Sequence, residues 1–250
     1  MPDIYTCEIV DKRVLNDVTC AITFVHGTLA YAARAGQFLH IKCGDNLLRR
    51  PFGICRADGE ALQIVFEIKG EGTRWLAGRE PGQNLNILGP LGNGFKMPEG
   101  DILAIGGGLG VPPMLFTAQS ANGAVTAILG FREANKLIMK SEFEAVCDKV
   151  YITTEDGSRG IRGTIAGPLE GLLENGGYSA VLACGQRAML ASVAALCSQF
   201  GVPCQVSMEE RMGCGIGACL VCACATVSGA QHMSRVCKDG PVFNANDIVW

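Results

Sequence analysis

The chain has 250 residues, 48% hydrophobic and 18% charged, which is enough apolar material for buried cores and too much for a disordered chain. Its formal charge of −3, from 21 Lys and Arg against 24 Asp and Glu, comes without any basic block, which excludes a nucleic-acid binder that displaces counterions from phosphates. Met1 to Tyr5 show no basic stretch leading into an apolar one, so the chain is expected to be cytoplasmic and without a signal peptide.

From residue 1 to 98 the pattern is short, alternating and broken by turns. Tyr5 to Val10, Thr19 to Val25, Gln37 to Lys42, Ala61 to Ile68 and Asn84 to Leu88 each read as strands, and their spacing predicts a small antiparallel barrel. Between them, Arg50-Pro51-Phe52-Gly53 reads as a loop offering a guanidinium for phosphate and an aromatic face for a flat ring. Gly70-Glu71-Gly72-Thr73, ahead of a helical Arg74-Trp75-Leu76, is a candidate diphosphate seat. Each loop, taken alone, reads equally well as an ordinary turn.

From 99 to 208 the rhythm changes to apolar strands alternating with helices. Ile102 to Ile105, Val125 to Leu129, Val150 to Thr153 and Ala180 to Ala183 predict a parallel sheet, with Arg187 to Gln199 as one of its helices. Ile102 to Phe131 carries no charge and is long enough to span a bilayer, but its Gly, Pro and Asn residues make it strand, loop, helix, turn and strand, so no membrane association is expected. The first strand runs into Gly106-Gly107-Gly108-Leu109-Gly110. Val111 breaks the strict dinucleotide fingerprint, yet a Gly-rich strand-to-helix loop still places free N–H groups beneath a pyrophosphate. Cys184-Gly185 ends a later strand. With no histidine near it in sequence, Cys184 reads as a wall of the same site rather than a nucleophile.

Residues 209 to 250 are too few to bury a core alone and hold five of the 13 cysteines. Cys214, Cys219 and Cys222 follow C-x4-C-x2-C, and Cys237 follows after fourteen intervening residues, the spacing of plant-type [2Fe–2S] proteins. Gly213, Gly215 and Gly217 allow backbone N–H groups near the sulfurs. A structural zinc site usually shows two close cysteine pairs and stays open as an alternative, as do merely buried cysteines. Cys224 reads as a packed bystander, and the eight scattered cysteines as small buried hydrophobes. His26, His40 and His232 are far apart and are expected to be satisfied structural groups.

The order of these loops, closed by Glu209-Glu210-Arg211-Met212-Gly213-Cys214-Gly215-Ile216-Gly217-Ala218-Cys219, resembles the ferredoxin reductase superfamily, and within it the electron-transfer subunits of NAD-linked dihydroorotate dehydrogenases. Thr154 to Ser158 and Gly163-Thr164 fit the same likeness, which runs from Tyr5 to Trp250. The resemblance implies an FAD-binding β-barrel (1–98), an NAD-binding α/β domain (99–208) and a [2Fe–2S] module (209–250). It implies that Arg50, Pro51, Phe52 and Gly53 meet the flavin, with Val65, Phe66 and Glu67 on a bordering strand and Gly72 and Thr73 under the diphosphate. Gly106, Gly107, Gly108 and Gly110 would face NAD as substrate, Cys184 and Gly185 its ring, and Cys214, Cys219, Cys222 and Cys237 the metal.

The resemblance further implies a partner: an FMN-containing dihydroorotate dehydrogenase catalytic subunit, in a heterotetramer, feeding electrons through the cluster and FAD to NAD+ in pyrimidine biosynthesis. Three positions depart from the family pattern. Gly53 stands where Ser is common, Glu67 where a basic residue is usual, and Gln186 where Pro often follows Cys-Gly. An NAD(P)H–ferredoxin oxidoreductase or sulfhydrogenase gamma-type subunit is the alternative with the same modules, and a zinc-stapled interaction protein the alternative from another class.

Overall fold

The computed structural model describes residues 3–227 and 232–250. Met1 and Pro2, which open both the expected cytoplasmic start and the 1–98 span, and residues 228–231 within the 209–250 span lie outside the described residues.

Strands β1 (Asp3–Asn16), β2 (Thr19–Val25), β3 (Phe38–Ile41), β4 (Arg50–Asp58), β5 (Ala61–Glu67) and β6 (Asn84–Leu91) close an antiparallel barrel in the order β1-β2-β5-β4-β3-β6. Inward side chains such as Ile22, Phe24, Leu39, Ile54 and Ile64 are fully buried, so alternation along each strand fills one core. Helices α1 (Gly27–Ala32) and α2 (Glu71–Ala77) sit on the barrel's connections.

Two expectations need correction here. β1 continues to Asn16 instead of stopping near Val10, because Asp11 to Asn16 bulge twice and still pair with β2 although little of that stretch is apolar. Arg50 to Gly53 is not a loop but the start of β4. Pro51 and Gly53 look like strand breakers, yet the pairing of β4 with β5 begins only at Ile54 opposite Ile64. Over Arg50 to Gly53 the ladder is with β3 alone, and a residue lacking an N–H is tolerated beside an open flank.

The second layer is a sheet of β7 (Ile102–Gly107), β8 (Val125–Phe131), β9 (Lys149–Thr154), β10 (Ile161–Arg162), β11 (Ala180–Cys184) and β12 (Cys204–Ser207), all parallel, in the order β10-β9-β8-β7-β11-β12. Helices α3 (Val111–Gln119), α4 (Lys140–Glu144), α5 (Ala166–Asn175) and α6 (Arg187–Gln199) cover it. Along β7, Leu103 and Ile105 join one core while Ile102 and Ala104 join the other, which is why the strand reads as a continuous apolar run. The uncharged stretch expected as strand, loop, helix, turn and strand is β7, one 3-10 turn, α3, a turn and β8. Among the described residues no helix is long and apolar enough to cross a membrane.

The carboxyl-terminal region contributes a hairpin of β13 (Ala223–Ala225) and β14 (Met233–Arg235), then β15 (Val242–Asn244). β15 pairs antiparallel with β12 and adds a seventh strand to the sheet that sequence had made wholly parallel. Cys222, Cys224, Val236 and Cys237 bury into the same core as Val193 and Cys197 of α6. The region borrows its core from its neighbour.

Candidate functional site

A slot opens in the barrel where β4 and β5 part. Arg50 to Gly53 pair only with β3, and Val65 to Glu67 pair with β2 (Ala21, Cys20 and Thr19), so the facing flanks of the two segments carry backbone groups outside any ladder. Backbone donors and acceptors left free between two strands are what a flat, polar-edged ring system needs to bind. At one end of the slot the Arg50 side chain crosses Gly72, where an added Cβ would meet Arg50 Nε at 3.0 Å. Arg50 and the first turn of α2 are thus brought together as expected. Thr73 does not offer its hydroxyl to a ligand. It accepts from the N–H groups of Lys69 (2.9 Å) and Gly70 (3.0 Å) and donates to the Gly70 carbonyl, which leaves only its backbone for a diphosphate.

Phe52 turns into the barrel, where its ring centroid lies 5.6 Å from that of Phe66. The pair forms the floor behind the slot. Gly53 faces α3, and a Cβ there would lie 3.1 Å from Pro113 Cγ, a tight contact that favours the glycine found there. Glu67 is also accounted for: its carboxylate pairs with Lys69 (2.8 Å) and with Lys136 across the cleft (4.0 Å).

The glycine loop lies where the strand order reverses, between neighbours β7 and β11, the place at which open α/β sheets bind nucleotides. Gly106 and Gly107 end β7, opposite Leu129 and Gly130 of β8, and Gly108 to Gly110 make one tight turn into α3. A Cβ on Gly110 would fall 2.2 Å from the Cys184 carbonyl oxygen, so only glycine lets α3 start this close to β11. Beyond Cys184 and Gly185 a cavity of about 230 Å3 is lined by Gly185, Gln186, Arg187, Leu190, Met208 and Glu209. Burial pushes the Cys184 thiol up to about 12, which disfavours the thiolate form that a nucleophile needs. A larger cavity, about 460 Å3, lies between α1, the end of β4 and the carboxyl end of α3, and takes in none of the predicted site residues.

The four predicted metal ligands come together as two pairs. Cys214 and Cys219 exchange contacts, since the Cys214 N–H points at Cys219 Sγ (3.4 Å) and the Cys219 N–H at Cys214 Sγ (3.4 Å). The Cys237 N–H points at Cys222 Sγ (3.4 Å). The pairs are linked by the Gly217 N–H, 3.1 Å from Cys237 Sγ, and Ala218 adds a fifth N–H toward Cys214 (3.3 Å). Burial opposes ionisation of Cys214, but the N–H groups of Ile216, Cys219 and Ala218 more than offset it and bring its pKa down to about 6.

Two pairs of sulfurs under a canopy of N–H donors suit two irons with two ligands each. Among the described residues no group of three or more His, Cys, Asp or Glu side chains is gathered around one point. Cys224 stands apart, buried in the core as expected.

Several supporting residues escaped sequence reasoning. Arg235 clasps Asp239 through two nitrogens (2.9 and 3.0 Å) and donates to the Gly217 carbonyl (3.1 Å), tying the close-ligand turn to the Cys237 turn. Asn93, just past β6, donates to the carbonyls of Lys238 (3.2 Å) and Asp239 (3.0 Å) and fastens the barrel to the same turn. Only the proximity of Arg235 and Asp239, four residues apart, was visible as a signal. Of the histidines, His26 accepts from the Leu29 N–H at the start of α1, and His232 Nδ1 lies 3.2 Å from the Val227 carbonyl. His40 departs from expectation, being fully buried with neither ring nitrogen hydrogen-bonded.

Comparison with known proteins agrees with this geometry. Residues 209–249 match the family model described as the iron-sulfur cluster binding domain of dihydroorotate dehydrogenase B. The chain is 37% identical over 254 residues to the dihydroorotate dehydrogenase B (NAD(+)) electron transfer subunit of Geobacillus thermodenitrificans, covering 96% of each. It is 39% identical over 219 residues to the protein of the same name from Caldanaerobacter subterraneus subsp. tengcongensis, covering 86% of this chain and 87% of that one. Among solved structures, the NADH-dependent reduced ferredoxin–NADP oxidoreductase studied for flavin-based electron bifurcation superposes with a TM-score of 0.88 at 27% identity, covering 98% of this chain and 90% of that one. A ferredoxin–NADP+ reductase from Neisseria gonorrhoeae with bound FAD and NADP shares the fold at 17% identity and a TM-score of 0.63, covering 79% and 92%.

Proposed function

Since this chain belongs to the family of dihydroorotate dehydrogenase B (NAD(+)) electron transfer subunits, we propose that it relays electrons released by dihydroorotate oxidation in a catalytic partner to NAD+, in pyrimidine biosynthesis. It is an oxidoreductase subunit that uses FAD and a [2Fe–2S] cluster. When bound, the cluster passes single electrons and the flavin exchanges them for the electron pair that nicotinamide requires. The observation that carries the reading is the pairing of Cys214 with Cys219 and of Cys222 with Cys237, beneath five N–H groups and beside the slotted barrel.

Residue by residue, Cys214, Cys219, Cys222 and Cys237 would hold the cluster. Arg50 and the backbone of Gly72 and Thr73 would take the FAD diphosphate, the first being a fixed cation and the others free donors at a helix start. Pro51, Phe52, Gly53, Val65, Phe66 and Glu67 would border the isoalloxazine through the open flanks of β4 and β5. Gly106, Gly107, Gly108 and Gly110 would admit the NAD pyrophosphate, and Cys184 with Gly185 would exclude water from the ring side. These assignments correspond to a flavin domain over 1–98, a nucleotide domain over 99–208 and a cluster module over 209–250.

The partner is taken to be the FMN-containing dihydroorotate dehydrogenase catalytic subunit, in a heterotetramer. Its docking face is supported by the exposed Cys219, flanked by Ile216, Leu220 and Val221, each about half exposed or more. Apolar side chains ringing an exposed electron-carrying ligand suit a protein surface better than water. A cytoplasmic location fits a relay that draws on the NAD pool. The alternative, a subunit partnered with ferredoxin- or sulfide-linked chemistry, is not favoured: likeness to the ferredoxin–NADP oxidoreductase is 27%, against 37% to the dihydroorotate dehydrogenase subunit over a similar span.

The test is reconstitution after anaerobic purification. The chain is expected to carry FAD, iron and labile sulfide, to reduce ferricyanide with NADH alone, and to support dihydroorotate-dependent NAD+ reduction only with the FMN subunit added. A colourless protein containing zinc without sulfide would overturn the reading.

A further inference from the structure

His40 sits at the centre of β3, opposite Pro51 of β4 on one side and Leu88 of β6 on the other. It is therefore built into the wall that borders the flavin slot. Its side chain is completely buried, and neither Nδ1 nor Nε2 has a hydrogen-bond partner. A neutral imidazole carries one N–H and one lone pair, and a buried polar group left without a partner is rare and costly. The nearest strong polar side chain, Arg49, has donors only, and it spends them on the His40 and Asn86 carbonyls. Its side chain offers the ring no acceptor, and the Arg49 backbone, like that of Cys214, lies near the ring without meeting hydrogen-bond geometry.

The ring points at the cluster loop. A Cβ placed on Gly215 would lie 2.5 Å from His40 Nδ1 and 3.1 Å from Cε1, so the Nδ1 edge abuts the turn immediately after Cys214. Gly215 has φ +73, a conformation that favours glycine, and the absence of a side chain is what lets the imidazole in. The Cys214 backbone lies close enough to influence the ring without completing a hydrogen bond. An unpartnered buried ring nitrogen against the turn that follows Cys214 is the mark of a partner that arrives with the cluster.

We propose that His40 is a positioning residue of the [2Fe–2S] centre, donating its Nδ1–H to the sulfur shell on the Cys214 side once the cluster is seated, and so coupling the flavin-bearing wall to the cluster's redox potential. This rests on the cluster reading above. An N–H directed at cluster sulfur favours the reduced, more negative state and raises the potential. The five backbone N–H groups already described act on the same sulfurs from the module's own turn, whereas His40 acts from the barrel.

The experiment is an EPR-monitored redox titration of the holoprotein, with FAD titrated in the same sample as internal reference. His40→Leu is expected to lower the cluster midpoint and leave that of FAD unchanged. His40→Asn, whose amide nitrogen falls near the Nδ1 position, is expected to recover most of the difference. Equal cluster midpoints in wild type and His40→Leu would overturn the proposal.

Should His40→Leu fail to fold, pulsed EPR on otherwise native protein carrying imidazole-15N histidine, in a His232→Gln background, gives the answer independently. A histidine-nitrogen coupling to the reduced cluster is expected. Backbone amide couplings with no histidine coupling would overturn the proposal while leaving the cluster reading intact. The absence of any reduced-cluster signal in wild type would instead overturn the cluster reading, and this proposal with it.

Discussion

Replacing Gly110 by alanine isolates the steric demand of the proposed nucleotide site. Gly110 has φ −77 and ψ −14, a backbone conformation that alanine adopts freely, so the substitution introduces no conformational strain. It introduces a collision. The new Cβ would sit 2.2 Å from the Cys184 oxygen, 2.4 Å from its carbonyl carbon and 2.7 Å from the Gly185 nitrogen. All three are backbone atoms, so no side chain can swing aside, and relief requires α3 to lift from β11 by roughly 1 Å.

Overpacking typically costs about 1–3 kcal/mol, and a backbone-on-backbone contact belongs at or above the top of that range. For a chain of this length about 3 kcal/mol corresponds to a fall in Tm of roughly 6–12 °C. Two neighbours serve as controls. Gly107→Ala would meet Met189 Sδ at 2.3 Å, but that is the flexible part of a side chain and can rotate away. Gly108→Ala meets nothing within 4 Å and carries only the strain of φ +54, about 1–2 kcal/mol. Thermal unfolding and NADH–ferricyanide kinetics on the three variants are expected to show Gly110→Ala as the worst, with the KM for NADH raised on the order of tenfold as the start of α3 moves. A Gly110→Ala protein with wild-type Tm and KM, or one outperforming Gly107→Ala, would refute the reasoning.

Serine at any one of Cys214, Cys219, Cys222 or Cys237 is expected to abolish the [2Fe–2S] absorbance, whereas Cys224→Ala is expected to retain it; cluster loss in Cys224→Ala would contradict the assignment of ligands. Glu67→Gln removes a carboxylate from the strand proposed to border the flavin and releases Lys69 and Lys136 for the anionic cofactor, so FAD retention is expected to tighten by up to about fivefold, the ceiling for a partly exposed ion pair of about 1 kcal/mol; weaker FAD binding, measured by dialysis or fluorescence, would count against it. Burial pushes the thiols of Cys7 and Cys55 up to about 12 and that of Cys43 up to about 11, from 9.0. Their folded pKa values lie above the unfolded one, so the associated stability is intact below about pH 9 and declines as pH climbs toward 11–12; urea midpoints at pH 8 and pH 10, with maleimide labelling of these thiols in the folded protein, check the sign.

Elements that keep one sequence pattern throughout were legible down to their ends. β2 and α6 occupy the expected Thr19–Val25 and Arg187–Gln199, because each keeps one period along its whole length. β4 was not legible, since Pro51 and Gly53 carry a local signal for a turn, while what makes them a strand is a one-sided ladder with β3 that no local pattern records. The cysteine spacing singled out the proposed metal ligands because the chemistry of a [2Fe–2S] cluster dictates such a spacing. The residues that hold those ligands in place carry no such mark. Asn93 reaches carbonyls about 145 positions away, and His40 meets Gly215 only because a barrel strand and a cysteine-rich turn are stacked in space.

The placement of the cluster module follows from its size. From Glu209 to Trp250 there is too little chain to bury a core, so its position must be imposed from outside. β15 extends the parallel sheet along β12, which fixes the strand that follows Cys237 to the domain proposed to receive NAD. Asn93 ties Lys238 and Asp239 to the end of the barrel, and its own N–H reaches the Gly240 carbonyl at 2.6 Å. His40 and Gly215 bring the opposite side of the cluster loop against the barrel wall at β3. These attachments come from two different domains. Rotation of the module about any one of them would strain the others. A relay that hands single electrons between a cluster and a flavin needs that separation held constant while an outer face stays free for a partner. The same arrangement meets both needs, because the attachments lie on the inner side and Cys219, Leu220 and Val221 remain at the surface.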